Sequence, residues 1–484
     1  MGIVGKQSLN NTIITFFGFA FAAVNTLFLY TNFLKDEYYG LVTVILSSSA
    51  VLMPILAFGV PNTLVKFNST FKNKKDIEGF QTLMLVLPLF LILPVALLSY
   101  FFNNAIGTFI SQENTIVKDY VWYIFLIGMA MAYFEVFYAW SKVQMKSVFG
   151  NFMKEVFIRI GVMLLLFLVY FEIFSVDIFL KALVCLYLVR TLIMKVYAYT
   201  LCMPKLSFRF PANTKSIINY STLIILGGSA AIIILEIDKV MINQFIEIEK
   251  VAYYAVAIYI ASTIIVPSRS MHQITYPLTA ELLNNNNLAE LKTLYQKSSL
   301  TLFIASGILF VLIITNLNDL FIMVPEAYRG GFSIVFLIGL AKVYDSLLGN
   351  NNAILYNSDY YKSLLLMGVG LAIMVILLNF VLIPLFGING AAMATFLAIV
   401  IYNTIKLFYV RAKFGLTPFT TETFQVFIIL VVLGALFFFI NLSLHPIINI
   451  LIKGVFTITI YLAVIYRFKI SVDIYSMLSK YLKR

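Results

Sequence analysis

Along most of the chain, long apolar runs alternate with short polar stretches. A bilayer crossing needs about 20 mainly apolar residues. By that measure the runs fall at 12–34, 40–65, 81–102, 119–140, 153–172, 176–200 and 217–245, then at 251–275, 298–317, 331–350, 363–384, 388–410, 424–441 and 446–466. Backbone groups in lipid must be satisfied within the segment, and the period-two alternation of a membrane barrel is absent, so each run predicts a helix. The first run follows Lys6 and has no small-residue cleavage site after it, so it reads as a first helix and not a removable signal.

The pattern also repeats. KDEYYGLVTVILSS (35–48) resembles EKVAYYAVAIYIAS (249–262), aligning Tyr38 and Tyr39 with Tyr253 and Tyr254. Pro61 is expected to end helix two and Pro277 helix eight, each followed by a polar segment, and GMAMAYFE (128–135) matches GLAKVYDS (339–346). The offsets stay between 211 and 216. Six helices per repeat place the copies in the same orientation, related by an axis along the membrane normal. The expected fold is therefore an all-α integral membrane protein of about fourteen helices. Residues 1–205 form an N-lobe, 206–413 a C-lobe, and 414–484 helices 13 and 14 with a basic tail.

Composition removes the soluble alternatives. The 484 residues are 61% hydrophobic and 12% charged, with a mean hydropathy of +0.96, more apolar side chain than a water-soluble core can hide. A net charge of +12 would suggest nucleic acid in a soluble protein; here the basic residues cluster in the connections and report orientation. With the N-terminus in the cytoplasm, the inner connections and tails hold 24 of the 34 Lys and Arg, counting Lys406, and the outer connections six, counting Lys453. Arg159, Arg190, Lys239 and Lys342 fall inside spans. The bias places both termini inside, and an even helix count agrees. Cys185 and Cys202 have no metal or redox spacing.

The connections are too short for a separate catalytic domain, the longest outer one being 103–118. Two histidines, His272 and His445, make no metal cluster, and neither a phosphate-binding Gly loop nor a nucleophile elbow occurs. In the inner loop 276–297, Asn284–Asn287 reads as a turn, and the spacing of Leu288, Leu291 and Leu294 predicts a short interfacial helix.

PLFGINGAAMATFLAIVIYN (384–403) resembles the connection between helices 11 and 12 of polysaccharide flippases, members of the multidrug/oligosaccharidyl-lipid/polysaccharide exporter superfamily. IDKVMINQF followed by VAYYAVAIYIAS, and ITYPLTAELLNN, fit the same family. The resemblance extends over essentially the whole chain, but its Gly, Pro and small-residue motifs specify fold better than cargo. It implies a non-enzymatic bacterial inner-membrane flippase that carries a polyprenyl-diphosphate-linked glycan to the outer leaflet by alternating access, for O-antigen, capsule or exopolysaccharide. The implied partners are membrane lipid, a polysaccharide polymerase and glycosyltransferases, with no nucleic acid, no metal and no bound cofactor beyond proton or sodium coupling. Peptidoglycan-precursor flippases of the superfamily carry an Arg early in helix eight; Ala252–Val266 has no basic residue, which counts against that cargo. A multidrug exporter of the same fold is the alternative, and a membrane polysaccharide polymerase or ligase a further one. An acid-dominated cavity would favour the exporter, and a large outer loop the enzyme.

The charges inside the spans are the candidate site, since ionisable groups in lipid are costly unless they serve a purpose. At about 1.5 Å per residue, Arg190 and Lys342 lie near mid-membrane, and Arg159 and Glu135 about a third of the way in from the cytoplasm. Read functionally, Arg190, Arg159 and Lys342 receive a diphosphate, for which Arg offers a two-pronged fork. Read structurally, Arg159 pairs with Glu155 or Glu135, and Lys342 with Asp345. Glu135 and Asp345 nearly coincide when the repeats are overlaid, as a coupling pair would, or as ordinary bundle contacts would. Asn25 and Ser47–Ser49 either line a sugar path or serve helix packing. In LEIDKVMINQF (235–245), Asp238 lies about 32 Å along its helix, near the outer surface, as a headgroup contact or as a gate or ion site. Glu236 is about 200° further round and cannot share its face.

The orientation predicts that a reporter active only in the cytoplasm, fused to the C-terminus, is active. A reporter active only on the outer side there would overturn the topology.

Overall fold

The computed structural model describes residues 3–471 except Lys72, Asn441 and Ser443, together with Tyr475, Ser476 and Ser479. Part of the expected inner charge, namely Lys72, Lys480, Lys483, Arg484 and the side chain of Lys6, lies outside the described residues. Among the described residues there is helix and no strand.

Each of the fourteen apolar runs coincides with helix, numbered here α1 to α14. They are α1 (3–33), α2 (36–67), α3 (74–101), α4 (121–143), α5 (148–170), α6 (176–201), α7 (214–245), α8 (249–284), α9 (288–322) and α10 (332–356). The continuous helix Tyr361–Phe414 supplies α11 and α12, divided at Gly387; α13 is Thr421–Phe438 and α14 Pro446–Arg467. Nine described helices are long and apolar enough to cross a membrane, or ten with the bent α7 as one span; Tyr361–Phe414 counts once. The expected number of fourteen crossings is thus larger than the number these lengths and compositions establish.

Breaks in the helices have local causes. In α2 the helix stops after Leu56, Gly59 adopts φ +64°, and a second segment runs from Val60 to Phe67. A Cβ at Gly59 would come within 2.3 Å of the Ser221 carbonyl, so glycine answers both the left-handed backbone and the close approach of α7. Pro61 opens that second segment instead of ending the helix, because the first turn has no use for its missing N–H. Pro277 likewise lies inside Val266–Asn284. α7 bends by 52° between Thr214–Ala230 and Ile232–Phe245, directly after Gly227, Gly228 and Ser229, the residue types at which helices bend most easily. Between α11 and α12, Gly387 takes φ +58° and ψ −138°, outside the helical range. The short interfacial helix expected near Leu288 does not form separately. Leu288 opens α9, capped by the Asn287 side chain on the Glu290 N–H, and the Leu spacing belongs to the first turns of that long helix.

The chain divides into two compact units: residues 1–255 with 372–388, and 256–371 with 389–484. These are drawn differently from the lobes 1–205 and 206–413; α7, the start of α8 and most of the second half of α11 count with unit 1. A repeat is defined by sequence and a packing unit by contacts, so their borders need not agree.

Within unit 1 the core gathers Phe80, Phe134, Trp140 and Met194, and the Trp140 indole donates to the Cys202 carbonyl at 3.1 Å. Within unit 2, α9 is the central post, with Val311, Leu430 of α13 and Tyr461 of α14 packed together. Large apolar side chains such as Phe17, Phe90, Leu366 and Phe456 stay exposed, as lipid-facing residues do.

α14 turns a polar stripe of Asn449, Lys453, Thr457 and Tyr461 inward. Lys453, counted above with the outer connections, is instead buried: its ammonium is 2.6 Å from Asp319 of α9 and donates to the Thr315 carbonyl. Asn449 donates to the same carboxylate at 3.0 Å, and the Tyr461 hydroxyl to the Ile304 carbonyl at 3.0 Å. Breaking a buried pair on one side strands the other charge, at a cost of about 3–5 kcal/mol. Lys453→Met should therefore lower the thermal midpoint of the purified protein markedly, and adding Asp319→Leu should recover most of the loss. Equal midpoints for wild type and the single variant would remove this role.

Candidate functional site

In unit 1 the intramembrane charges lie on α4, α5, α6 and α7, and α1 meets α5 through a buried polar residue. Two short π-helical stretches, Val24–Leu29 in α1 and Met153–Phe157 in α5, widen these helices where they meet. Asn25, buried within the first, donates its amide to the Arg159 carbonyl at 2.8 Å, and its own amide oxygen has no partner. The contact ties α1 to α5; it fits the packing reading of Asn25 while leaving one acceptor open.

Arg159 is neutralised locally, its guanidinium donating to the Glu155 carboxylate at 2.7 Å and carbonyl at 2.6 Å. Of the two pairings open from sequence, the one with Glu155 is formed. Glu135 of α4 is held by Lys154 at 2.5 Å and also lies in the electrostatic reach of Lys142 and Arg190.

Arg190 is different. It is 5% exposed, its guanidinium carbon stands 4.1 Å from the Phe134 ring and 4.8 Å from the Tyr187 ring, and its Nε is buried without a hydrogen-bond partner. None of the ion pairs among the described residues includes it. Aromatic faces attract a cation without supplying an anion. Lys142, Lys154, Arg159 and Arg190 stand around Glu135 and Glu155; Lys142 and Lys154 are exposed, so the less exposed part of the group holds two cations against two acids.

Asp238 is 4% exposed, so its side chain is enclosed by protein and not placed at headgroups. Its carboxylate accepts from the Tyr254 hydroxyl at 2.6 Å and the Asn379 amide at 2.7 Å, joining α7, α8 and α11 within unit 1. Depth along a single helix pointed to the surface; the neighbouring helices decide burial. Glu236 looks elsewhere, accepting from Ser47 at 2.8 Å and Lys239 at 2.5 Å, so the two acids do occupy different faces.

In unit 2, Asp345 of α10 accepts from the Asn403 amide of α12 at 3.1 Å, and Lys342 lies half-buried one turn away. Lys406, counted from sequence as an inner-face orientation charge, is a correction: it is 1% exposed. Its ammonium donates to the Asn352 side chain at 2.7 Å and lies 4.2 Å from the Tyr402 ring. Tyr254 and Lys406 entered the sequence reading only as a repeat match and an orientation charge, and Asn379 and Asn403 not at all. A Lys within an apolar stretch was the one available signal, and only for Lys406.

This is the fold of a multi-pass membrane protein built from apolar helices, and solved transporters share it. The inward-closed lipid II flippase MurJ is 14% identical with a TM-score of 0.73, over 95% of this chain and 99% of that one. An inward-facing multidrug resistance MATE family transporter of the MOP superfamily is 14% identical with a TM-score of 0.66, over 84% and 98%. A MOP superfamily transporter from Pyrococcus furiosus, described as having a binding pocket of reversed polarity, is 12% identical with a TM-score of 0.58, over 85% and 96%. At such identities the common property is the fold. The model of the polysaccharide biosynthesis protein family matches residues 4–283, more than half of the chain, and the chain belongs to that family. No curated protein sequence matches it.

Proposed function

We propose that this protein is a flippase that moves a polyprenyl-diphosphate-linked oligosaccharide from the cytoplasmic to the outer leaflet of the bacterial inner membrane by alternating access. Both termini are cytoplasmic in this reading, and the glycan serves O-antigen, capsule or exopolysaccharide assembly beside glycosyltransferases and a polymerase. The observation that carries it is Arg190: a guanidinium buried in unit 1, held by two rings, with no carboxylate in ion-pair contact. A permanently charged group in that position invites an anion from outside the protein, and a diphosphate suits its fork. Arg159 and Lys154 are already paired and contribute field more than contact. Membership of the polysaccharide biosynthesis family makes a lipid-linked glycan the natural anion. A multidrug or organic-cation exporter would want an acid surplus, which the group around Arg190 does not have.

Asp238 is the proposed coupling element. A buried carboxylate with a phenol and an amide as its hydrogen-bond partners is able to exchange a proton or accept sodium as those partners move.

Arg190→Ala should abolish glycan export and cause the lipid-linked glycan to accumulate, at normal protein abundance. Full export in that variant would remove the diphosphate role. In the same assay Asp238→Asn should flatten the dependence on pH or on sodium; unchanged dependence on both would leave Asp238 a structural contact.

A further inference from the structure

Among the described residues, Arg190 and Lys406 are deeply buried cations outside every ion pair, and each stands on the last helix of its six-helix repeat, Arg190 on α6 and Lys406 on α12, the latter a few residues nearer the end of its helix. Each cation faces a tyrosine ring of its own helix about one turn earlier, Tyr187 at 4.8 Å and Tyr402 at 4.2 Å. Each lies in the electrostatic reach of the acid on the fourth helix of its repeat, Glu135 for Arg190 and Asp345 for Lys406. In both cases that acid is engaged elsewhere, Glu135 by Lys154 and Asp345 by Asn403. None of the ion pairs among the described residues includes Lys406; the polar partner it has is the neutral amide oxygen of Asn352.

Burial alone does not demand this arrangement. Lys453, equally buried, has its carboxylate at 2.6 Å, which is how a structural lysine is accommodated in this protein. A neutral amide offsets only part of the cost of keeping an ammonium from water. The two units share a kind of arrangement, a buried cation against a tyrosine ring of its own helix, within reach of an acid that is engaged elsewhere.

We propose that Lys406 is a second anion-binding residue, the unit 2 counterpart of Arg190, and that it takes the diphosphate headgroup of the cargo. The inference rests on the flippase reading for the identity of the anion. Asn352 holds the ammonium when the anion is absent, and Asp345 sets how tightly the anion is kept, by competing for the same charge.

The test is calorimetric titration of the full-length protein in lipid nanodiscs with farnesyl diphosphate, and with farnesol as the uncharged control. A lost charge-assisted hydrogen bond corresponds to about tenfold or more in affinity. Lys406→Met should show that loss for farnesyl diphosphate and none for farnesol, Lys406→Arg should stay within about threefold of wild type, and Asp345→Asn should bind more tightly. Lys406→Gln, which keeps a donor for Asn352 without the charge, should lose affinity as the Met variant does and guards against misfolding as the cause. Wild-type affinity in folded Met and Gln variants, with affinity lost in Arg190→Met, would overturn the role of Lys406 and leave the flippase reading standing. Equal binding of farnesyl diphosphate and farnesol by the wild type would overturn the flippase reading itself.

Discussion

An ionised side chain held away from water needs either an opposite charge nearby or a reason to go without one. This constraint organises the polar interior of both units. Lys453 meets it with Asp319, Lys154 with Glu135, Arg159 with Glu155 and Lys239 with Glu236, each within 2.7 Å. Arg190 and Lys406 meet it only in part, with rings and a neutral amide. The backbone of each helix is satisfied within the helix in lipid, so every departure from apolarity has to be accounted for residue by residue, and these two departures are the ones for which an external anion is proposed.

The paired charges and the open ones do different work. The Asp319–Lys453 pair fixes α14 against α9 in unit 2, and Tyr461 and Asn449 extend the same seam. Asp238 is closed by Tyr254 and Asn379, which makes it dependent on how α7, α8 and α11 stand against one another. The proposed role of Arg190 and Lys406 rests on the greater strength of a charge-assisted contact in a dry site.

Much of the fold was readable in the sequence because lipid imposes a simple rule: about 20 apolar residues in a row, with helix as the single means of satisfying the backbone. The apolar runs and their helical form follow from it. What the rule cannot supply is the azimuth of a side chain or its neighbours on other helices. Lys406 and Lys453 were read as connection charges because both lie near helix ends, yet adjacent helices enclose them. Asp238 was placed near the surface by its distance along α7, while Asn379, its partner 141 residues away, decides otherwise. Pro61 and Pro277 were read as helix ends, although a proline opens a helical segment as readily as it closes one. Even the pairing of Arg159 with Glu155, one turn away, was open from sequence because Glu135 competed for it.

Reconstitution decides whether this chain moves a glycan-bearing lipid diphosphate. Purified protein in liposomes that carry a labelled polyprenyl-diphosphate-linked oligosaccharide should make the lumenal pool of label accessible at the outer surface. Protein-free liposomes should not, and the same vesicles should leave an organic cation where it was. Retention of the label with correctly inserted protein, or movement of the cation instead, would contradict the account.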